Sequence, residues 1–406
     1  MAVGANSFPV MPVVEGCRLS STEAGIRYQG RHDLALISLC EGSVVAGCFT
    51  QNAYQAAPVT VAKAHLQAAD SRYFLINSGN ANACTGEIGE ADALKTCVEV
   101  AALTGVSSDQ VLPFSTGVIG EPMNMPALLG ALPQIALNLE SAHWEQCARA
   151  IMTTDTFPKG VSRQIEIDGV VISINGIAKG SGMIRPDMAT MLAYIVTDAT
   201  IDRSLLQTLC QSATDKSFNR ITVDGDTSTN DACMLAATGA AGTELINSFE
   251  TESGRKFAQA VTEVFEELAK LLVRDGEGAT KFVTIDVMGG VSSSDCLKVA
   301  YSIGESPLVK TALFASDPNW GRLVMAIGRS GVRGLDPNKV RVWLDDTVIV
   351  EFGSVAESYE EALGQKVLNQ EEFSIRVDLG MGESKETIWT CDFSHEYVSI
   401  NADYRS

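Results

Sequence analysis

From Thr190 to Asp198 the chain reads TMLAYIVTD, a run of apolar and β-branched residues that suits a strand buried in a core. A strand of that composition must be covered by other elements, so the rest of the chain has to be organised around it. The approach to it is of a different kind. Lys179 opens a Gly180-Ser181-Gly182 turn, Arg185-Pro186-Asp187 forms a loop, and the character changes at Ala189-Thr190. A hydroxyl residue thus stands at the first position of a core strand, directly after a flexible loop. That position holds a nucleophile rigid while leaving it reachable. Threonine also favours strands for steric reasons alone, so position by itself assigns Thr190 no role.

At 406 residues the chain can bury one large core or two, which leads us to expect two intertwined lobes. A net charge of −20 argues against partnership with nucleic acid or an anionic membrane surface. No apolar run reaches the roughly 18 residues of a membrane span. The opening MAVGANSFPVMPVVEGCRLSS lacks the basic start and apolar centre of a signal peptide, so a cytoplasmic location is expected. The ten cysteines are scattered without C-x-x-C spacing, which points to buried, reduced thiols rather than a metal site. The four histidines lie far apart, and none stands beside a glycine-flanked serine or cysteine. A catalytic hydroxyl here needs a base other than histidine.

Asp33–Leu39 and Ser43–Thr50 read as two strands joined in a hairpin by Cys40-Glu41-Gly42. Phe74–Gly86 begins as a buried strand and ends in an Asn- and Gly-rich loop, which serves equally as a strand exit or as an anion-binding set of N–H groups. Leu94, Cys97, Val98 and Ala101 mark the inner face of a helix from Glu90 to Leu103. In FSTGVIGEP, Thr116 and Gly117 put a hydroxyl beside a turn N–H, the pairing an oxyanion hole uses. Further on, the spacing predicts a helix over Leu139–Met152, a hairpin turning at Asp168-Gly169, helices over Arg203–Phe218 and Arg255–Arg274, and a hairpin turning at Asp345-Asp346.

The string KGSGMIRPDMATML, Lys179 to Leu192, resembles almost letter for letter the self-cleavage segment of the ornithine acetyltransferase family, the glutamate N-acetyltransferases of arginine biosynthesis. Further blocks resemble the same family in order along the chain: FSTGVIGEP, MTTDT, DGDTSTND, RDGEGATK, SDPNWGR and the terminal INADYRS. The resemblance implies that the chain cuts its own Ala189-Thr190 bond and that the exposed Thr190 becomes the nucleophile. It further implies that Thr116 and Gly117 stabilise the tetrahedral intermediate, and that Thr153, Lys179, Thr190, Glu277, Asn401 and Ser406 contact substrate. The DGDTSTND run is expected to shape the site, and no catalytic residue is drawn from it.

The chemistry is coherent. A threonine hydroxyl is a weak nucleophile until a base is at hand, and cleavage frees Thr190's own α-amine, which titrates near about 7.7 to 8.0 in solution. Lys179 nearby favours the neutral amine by charge repulsion. The resemblance implies acetyl transfer from N-acetylornithine to glutamate by a ping-pong route with no cofactor and no metal. The family contains members that also use acetyl-CoA and members that do not. Two fragments, 1–189 and 190–406, are expected to co-fold, as two copies of each, into an α/β fold of layered sheets with flanking helices, resembling the N-terminal-nucleophile type. A self-cleaving aminopeptidase or amidase and a non-enzymatic metabolite-binding relative are the alternatives.

Overall fold

The computed structural model describes residues 3–4, 7–185 and 191–403. Asp187, Ala189, Thr190 and Ser406, on which several of the expectations above fall, lie outside the described residues.

The predicted core strand is Leu192–Thr197, and every one of its residues is buried. It is the middle member of a five-stranded sheet ordered Val44–Phe49, Ala232–Ala237, Leu192–Thr197, Val170–Lys179, Lys159–Ile167. It runs antiparallel to Val170–Lys179, with Lys179 opposite Leu192, and parallel to Ala232–Ala237, with Ala232 opposite Leu192. Its two hydrogen-bonded neighbours therefore come from opposite sides of residue 190.

Alternation along the strand sends Leu192, Tyr194 and Val196 to one face and Ala193 and Ile195 to the other. The first face packs on a four-stranded sheet, Cys17–Thr22, Leu34–Leu39, Tyr73–Asn77 and Val111–Ser115. There the Tyr194 ring lies 5.9 Å from Phe74 and 5.2 Å from Phe114, centroid to centroid. Helices Arg203–Lys216 and Glu252–Arg274 cover the second face. Helices Gly86–Thr104 and Met125–Leu137 cover the far side of the four-stranded sheet. The result is helix, sheet, sheet, helix, the α/β arrangement of layered sheets with flanking helices that the family resemblance implied. A seven-stranded sheet forms a second lobe, with Ser293–Gly304 and Trp320–Gly328 packed on it. Phe282, Trp389 and Cys391 of that sheet join the core around helix Glu252–Arg274.

Three local readings differ from the structure. Leu34–Leu39 and Val44–Phe49 are not a hairpin, because the turn between them carries the chain from the four-stranded sheet to the five-stranded one. The helix Gly86–Thr104 turns Ala93, Cys97, Val100 and Ala101 inward and leaves Leu94 and Val98 exposed. Its small residues let it sit closer to the sheet than a leucine face would. The next predicted helix is shorter, Trp144–Ala150. The hairpins at Asp168-Gly169 and Asp345-Asp346 are present, with Asp168, Gly169 and Asp345 at positive φ. Of the cysteines, Cys84 is exposed and Cys40 half-buried, while the other eight are buried.

A buried ion triad ties these parts together. Lys159, at the start of its strand, lies 2.6 Å from Asp155 Oδ1 and 2.6 Å from Asp275 Oδ2, and all three side chains are fully buried. Asp275 caps the end of helix Glu252–Arg274 and also accepts hydrogen bonds from the backbone and hydroxyl of Thr156. Two carboxylates are tolerable here only because one ammonium serves both. Lys159→Met should cost about 3–5 kcal/mol in urea unfolding, the range for a buried charge stripped of its partner. A variant as stable as the parent would show that the triad does not hold the layers.

Candidate active site

A cleft of about 130 Å³ opens where Lys179 and Leu192 meet at the end of the five-stranded sheet. Thr116, Gly117, Thr153, Lys179, Glu277 and Asn401 all line it. These six residues come from widely separated parts of the chain.

Thr116 and Gly117 follow the strand Val111–Ser115, and the Thr116 amide donates to Asn77 O at 3.0 Å. Gly117 has φ +135°, and a Cβ there would come within 2.3 Å of the Gly79 carbonyl carbon, so only glycine fits the turn. The turn is held from behind by the DGDTSTND segment: Asn230 Nδ2 donates to Ala81 O at 2.6 Å and to Ser115 O at 2.8 Å. Asp224, in the same segment, accepts from the amides of Met183 and Ile184 at 2.6 and 2.8 Å. It therefore pins the described end of the loop that leads toward residue 190.

Lys179 is 9 % exposed, and its Nζ donates to Thr116 Oγ1 at 3.3 Å. Burial pushes this lysine below its ordinary value and Lys159 adds to the effect, while Asp155, Asp231 and Glu277 pull it back up. Asp155 organises the floor, accepting from Gly180 N at 2.7 Å and from Thr153 N at 3.0 Å. Burial alone would raise the Asp155 carboxyl, but Lys159, Lys179 and the Gly180 amide outweigh it and hold the group well below the usual carboxylate range. Asp231 lines the cleft from the other side, and its burial drives it well above that range against the pull of Lys179.

Glu277 lies just past a helix end, where a glutamate is normally solvated, yet it is only 6 % exposed. The chain turns inward after Asp275, so that the Glu277 amide donates to Ser181 O at 2.7 Å. Its carboxylate faces Gly182, where a Cβ would sit 2.5 Å from Glu277 Cδ. Asn401 Nδ2, on helix His395–Ala402, donates to Glu277 Oε2 at 2.7 Å. The C-terminal helix is thereby fastened to the cleft, and Tyr397 of that helix donates to Asp224 at 3.4 Å.

Chemically, a hydroxyl and a glycine turn beside a buried lysine suit a developing negative charge, and a buried carboxylate beside a carboxamide suits an ammonium. Ala189, Thr190 and Ser406, the remaining candidates, lie outside the described residues. The sequence reading singled out neither Asp155 nor Asp231. Asp155 stands in the quoted MTTDT block and Asp231 ends DGDTSTND, but in a linear sequence nothing separates a buried aspartate from a solvated loop residue.

Comparison with known proteins bears on the same residues. The ArgJ family matches residues 18–406. The arginine biosynthesis bifunctional protein ArgJ of Pseudomonas fluorescens (strain Pf0-1) is 54% identical over 406 residues, covering 100% of both chains. That of Pseudomonas syringae pv. tomato is 52% identical, also over 100% of both. A solved structure of the arginine biosynthesis bifunctional protein argJ from Bacillus halodurans is 37% identical, covers 50% of this chain and 95% of its own, and superposes with a TM-score of 0.49. With the family matched through every segment that builds the cleft, and with curated relatives similar from end to end, the chain belongs to the ArgJ family.

Proposed function

We propose that this chain is a self-processing acyltransferase of arginine biosynthesis, moving acetyl from N2-acetyl-L-ornithine to L-glutamate and also acetylating glutamate from acetyl-CoA. The observation that carries the reading is the convergence of Thr116, Gly117, Lys179 and Glu277 in one cleft at the head of the strand that begins just after residue 190. Membership of a family whose curated relatives are named arginine biosynthesis bifunctional proteins supports the pathway and the second donor.

In the first stage the Thr190 oxygen attacks the Ala189 carbonyl carbon, the C–N bond breaks, and the α-amine is released as an ester forms. Water then hydrolyses the ester, leaving fragments 1–189 and 190–406. In the mature enzyme the Thr190 hydroxyl attacks the acetyl carbonyl of N-acetylornithine while its proton passes to the α-amine. Thr116 and Gly117 hold the oxyanion, and the proton moves on to the departing amine of ornithine. The amine of glutamate then attacks the acetyl-threonine, giving N-acetylglutamate and free enzyme. Glu277 and Asn401 take the amino end of the substrate, Thr153 and Lys179 its remaining polar groups, and Ser406 completes the contacts from the tail. The fragments assemble as two copies of each, in the cytoplasm.

Thr190→Ala should run as one band of 43.2 kDa on a denaturing gel and transfer no acetyl group. The parent should give two fragments and consume N-acetylornithine with glutamate present. A Thr190→Ala protein that still cuts itself rejects the nucleophile, and deacetylation that proceeds equally well without glutamate assigns the site to hydrolysis instead. Thr116→Ala, assayed on mature protein, should lower kcat on the order of 10²- to 10³-fold, as loss of one oxyanion donor does. An unchanged kcat removes Thr116 from that role.

A further inference from the structure

The strands Cys17–Thr22 and Leu34–Leu39 are joined by a loop that reads EAGIRYQGRH, Glu23 to His32. Its base is built on one buried carboxylate, Asp33, which accepts from the amides of Ala24 at 2.6 Å and Ile26 at 2.7 Å. Its tip closes where Gly30 N donates to Glu23 Oε1 at 2.5 Å. A loop tied at both ends gathers Arg27, Tyr28 and Arg31. The guanidinium carbons of Arg27 and Arg31 lie 5.9 and 5.3 Å from the centroid of the Tyr28 ring, and that ring is exposed. Two cations drawn to one ring repel each other, and a carboxylate offsets only part of this: Glu121 pairs with Arg27 at 2.5 Å. Among the described residues Arg31 has no carboxylate partner. Its Nη2 donates to Met152 O and, at 3.5 Å, to Ser78 Oγ, which leaves the N–H groups of Nε and Nη1 without a partner among those residues.

The loop also touches both walls of the cleft from outside. Met152, whose carbonyl Arg31 holds, directly precedes Thr153. A Cβ on Gly79 would come within 3.0 Å of Arg27 Cβ, and Gly79 in turn abuts Gly117. The two arginines therefore stand one residue from Thr153 and one backbone layer from Gly117, both of which line the cleft. The two acetyl donors make different demands on such a place. N-acetylornithine is a small amino acid, whereas acetyl-CoA carries its acetyl group on a long pantetheine arm that ends in a pyrophosphate and a ribose phosphate. A cleft of about 130 Å³ takes the acetyl end and has no room for the nucleotide, so the phosphates rest on the protein outside it. A chain of net charge −20 repels a polyanion unless a local group of cations receives it. Guanidinium groups suit that task because their planar fork matches phosphate oxygens.

We propose that Arg31, together with Arg27 and the ring of Tyr28 that gathers them, forms the site that receives the phosphates of acetyl-CoA outside the cleft. The inference rests on the acyltransferase reading and deepens its second donor. The loop binds the remote end of that donor and touches no reacting atom, so transfer from N-acetylornithine does not depend on it.

The test compares donors, with glutamate as acceptor throughout: N-acetylornithine, acetyl-CoA, and S-acetyl-N-acetylcysteamine, a short acetyl thioester without phosphates. The parent is read first. If it transfers nothing from N-acetylornithine, the acyltransferase reading falls and this inference with it; if it uses N-acetylornithine but not acetyl-CoA, that reading stands and this proposal alone is overturned. With both donors active, Arg31→Ala should raise KM for acetyl-CoA on the order of 10- to 10²-fold, as loss of a charge-assisted hydrogen bond does. Both constants for N-acetylornithine and kcat/KM for the short thioester should stay within about twofold. Equal losses on all the donors would make Arg31 only a brace for Met152 and overturn the proposal, as would an unchanged KM for acetyl-CoA. If Arg31→Ala does not fold, Tyr28→Glu decides, since it sets a carboxylate between the two guanidiniums at an exposed position. It should raise KM for acetyl-CoA and spare the other donors, and an unchanged KM refutes the site.

Discussion

The pairing of Leu192–Thr197 between Val170–Lys179 and Ala232–Ala237 is the constraint on which the rest of this molecule depends. The strand is buried on both faces, one against a second sheet through Phe74 and Phe114 and the other against two helices. Its ladder hydrogen bonds fix the height at which Lys179, Asp231 and Met191 stand relative to one another. A one-residue slip would turn Tyr194 away from its aromatic neighbours and Lys179 away from Thr116, so core and cleft share a single register. A break in the backbone ahead of this strand leaves both neighbours bonded to it, which gives a self-cut chain a physical reason to stay whole.

Charge at the site follows from the same burial. Lys159 pairs with both Asp155 and Asp275 beneath the cleft, and Asp155 also accepts from the amides of Gly180 and Thr153. This fixes the start of the Gly180-Ser181-Gly182 turn and the backbone of Thr153 from beneath the cleft. Lys179 and Asp231 both line the cleft, and burial works against the charge on each while each partly offsets that effect for the other.

Much of this was legible in the amino-acid sequence because a few segments carry strong periodic or turn signals. TMLAYIVTD declares a buried strand by composition, and Asp168-Gly169 declares a hairpin by its need for positive φ. The Leu34–Leu39 and Val44–Phe49 strands were misjoined because two apolar runs on either side of a short glycine turn read alike whether the chain folds back in one sheet or crosses to another. The inner face of Gly86–Thr104 was read correctly at Cys97 and Ala101 but not at Leu94 and Val98, in whose place Ala93 and Val100 turn inward. At the site, resemblance named Glu277, but its burial follows from an inward turn after Asp275 that no local pattern announces. Asp155 and Asp231 show the same limit, since burial of a polar residue is decided by segments distant in the chain.

The account turns on a bond broken at the head of one core strand. Intact-mass measurement of natively purified, active protein tests this most directly, run beside gel filtration of the same sample. Two masses should be found, the second that of a chain beginning Thr-Met-Leu-Ala, in a single eluting species. Full activity in protein of one uncut mass would contradict the account, and so would fragments that separate without denaturant.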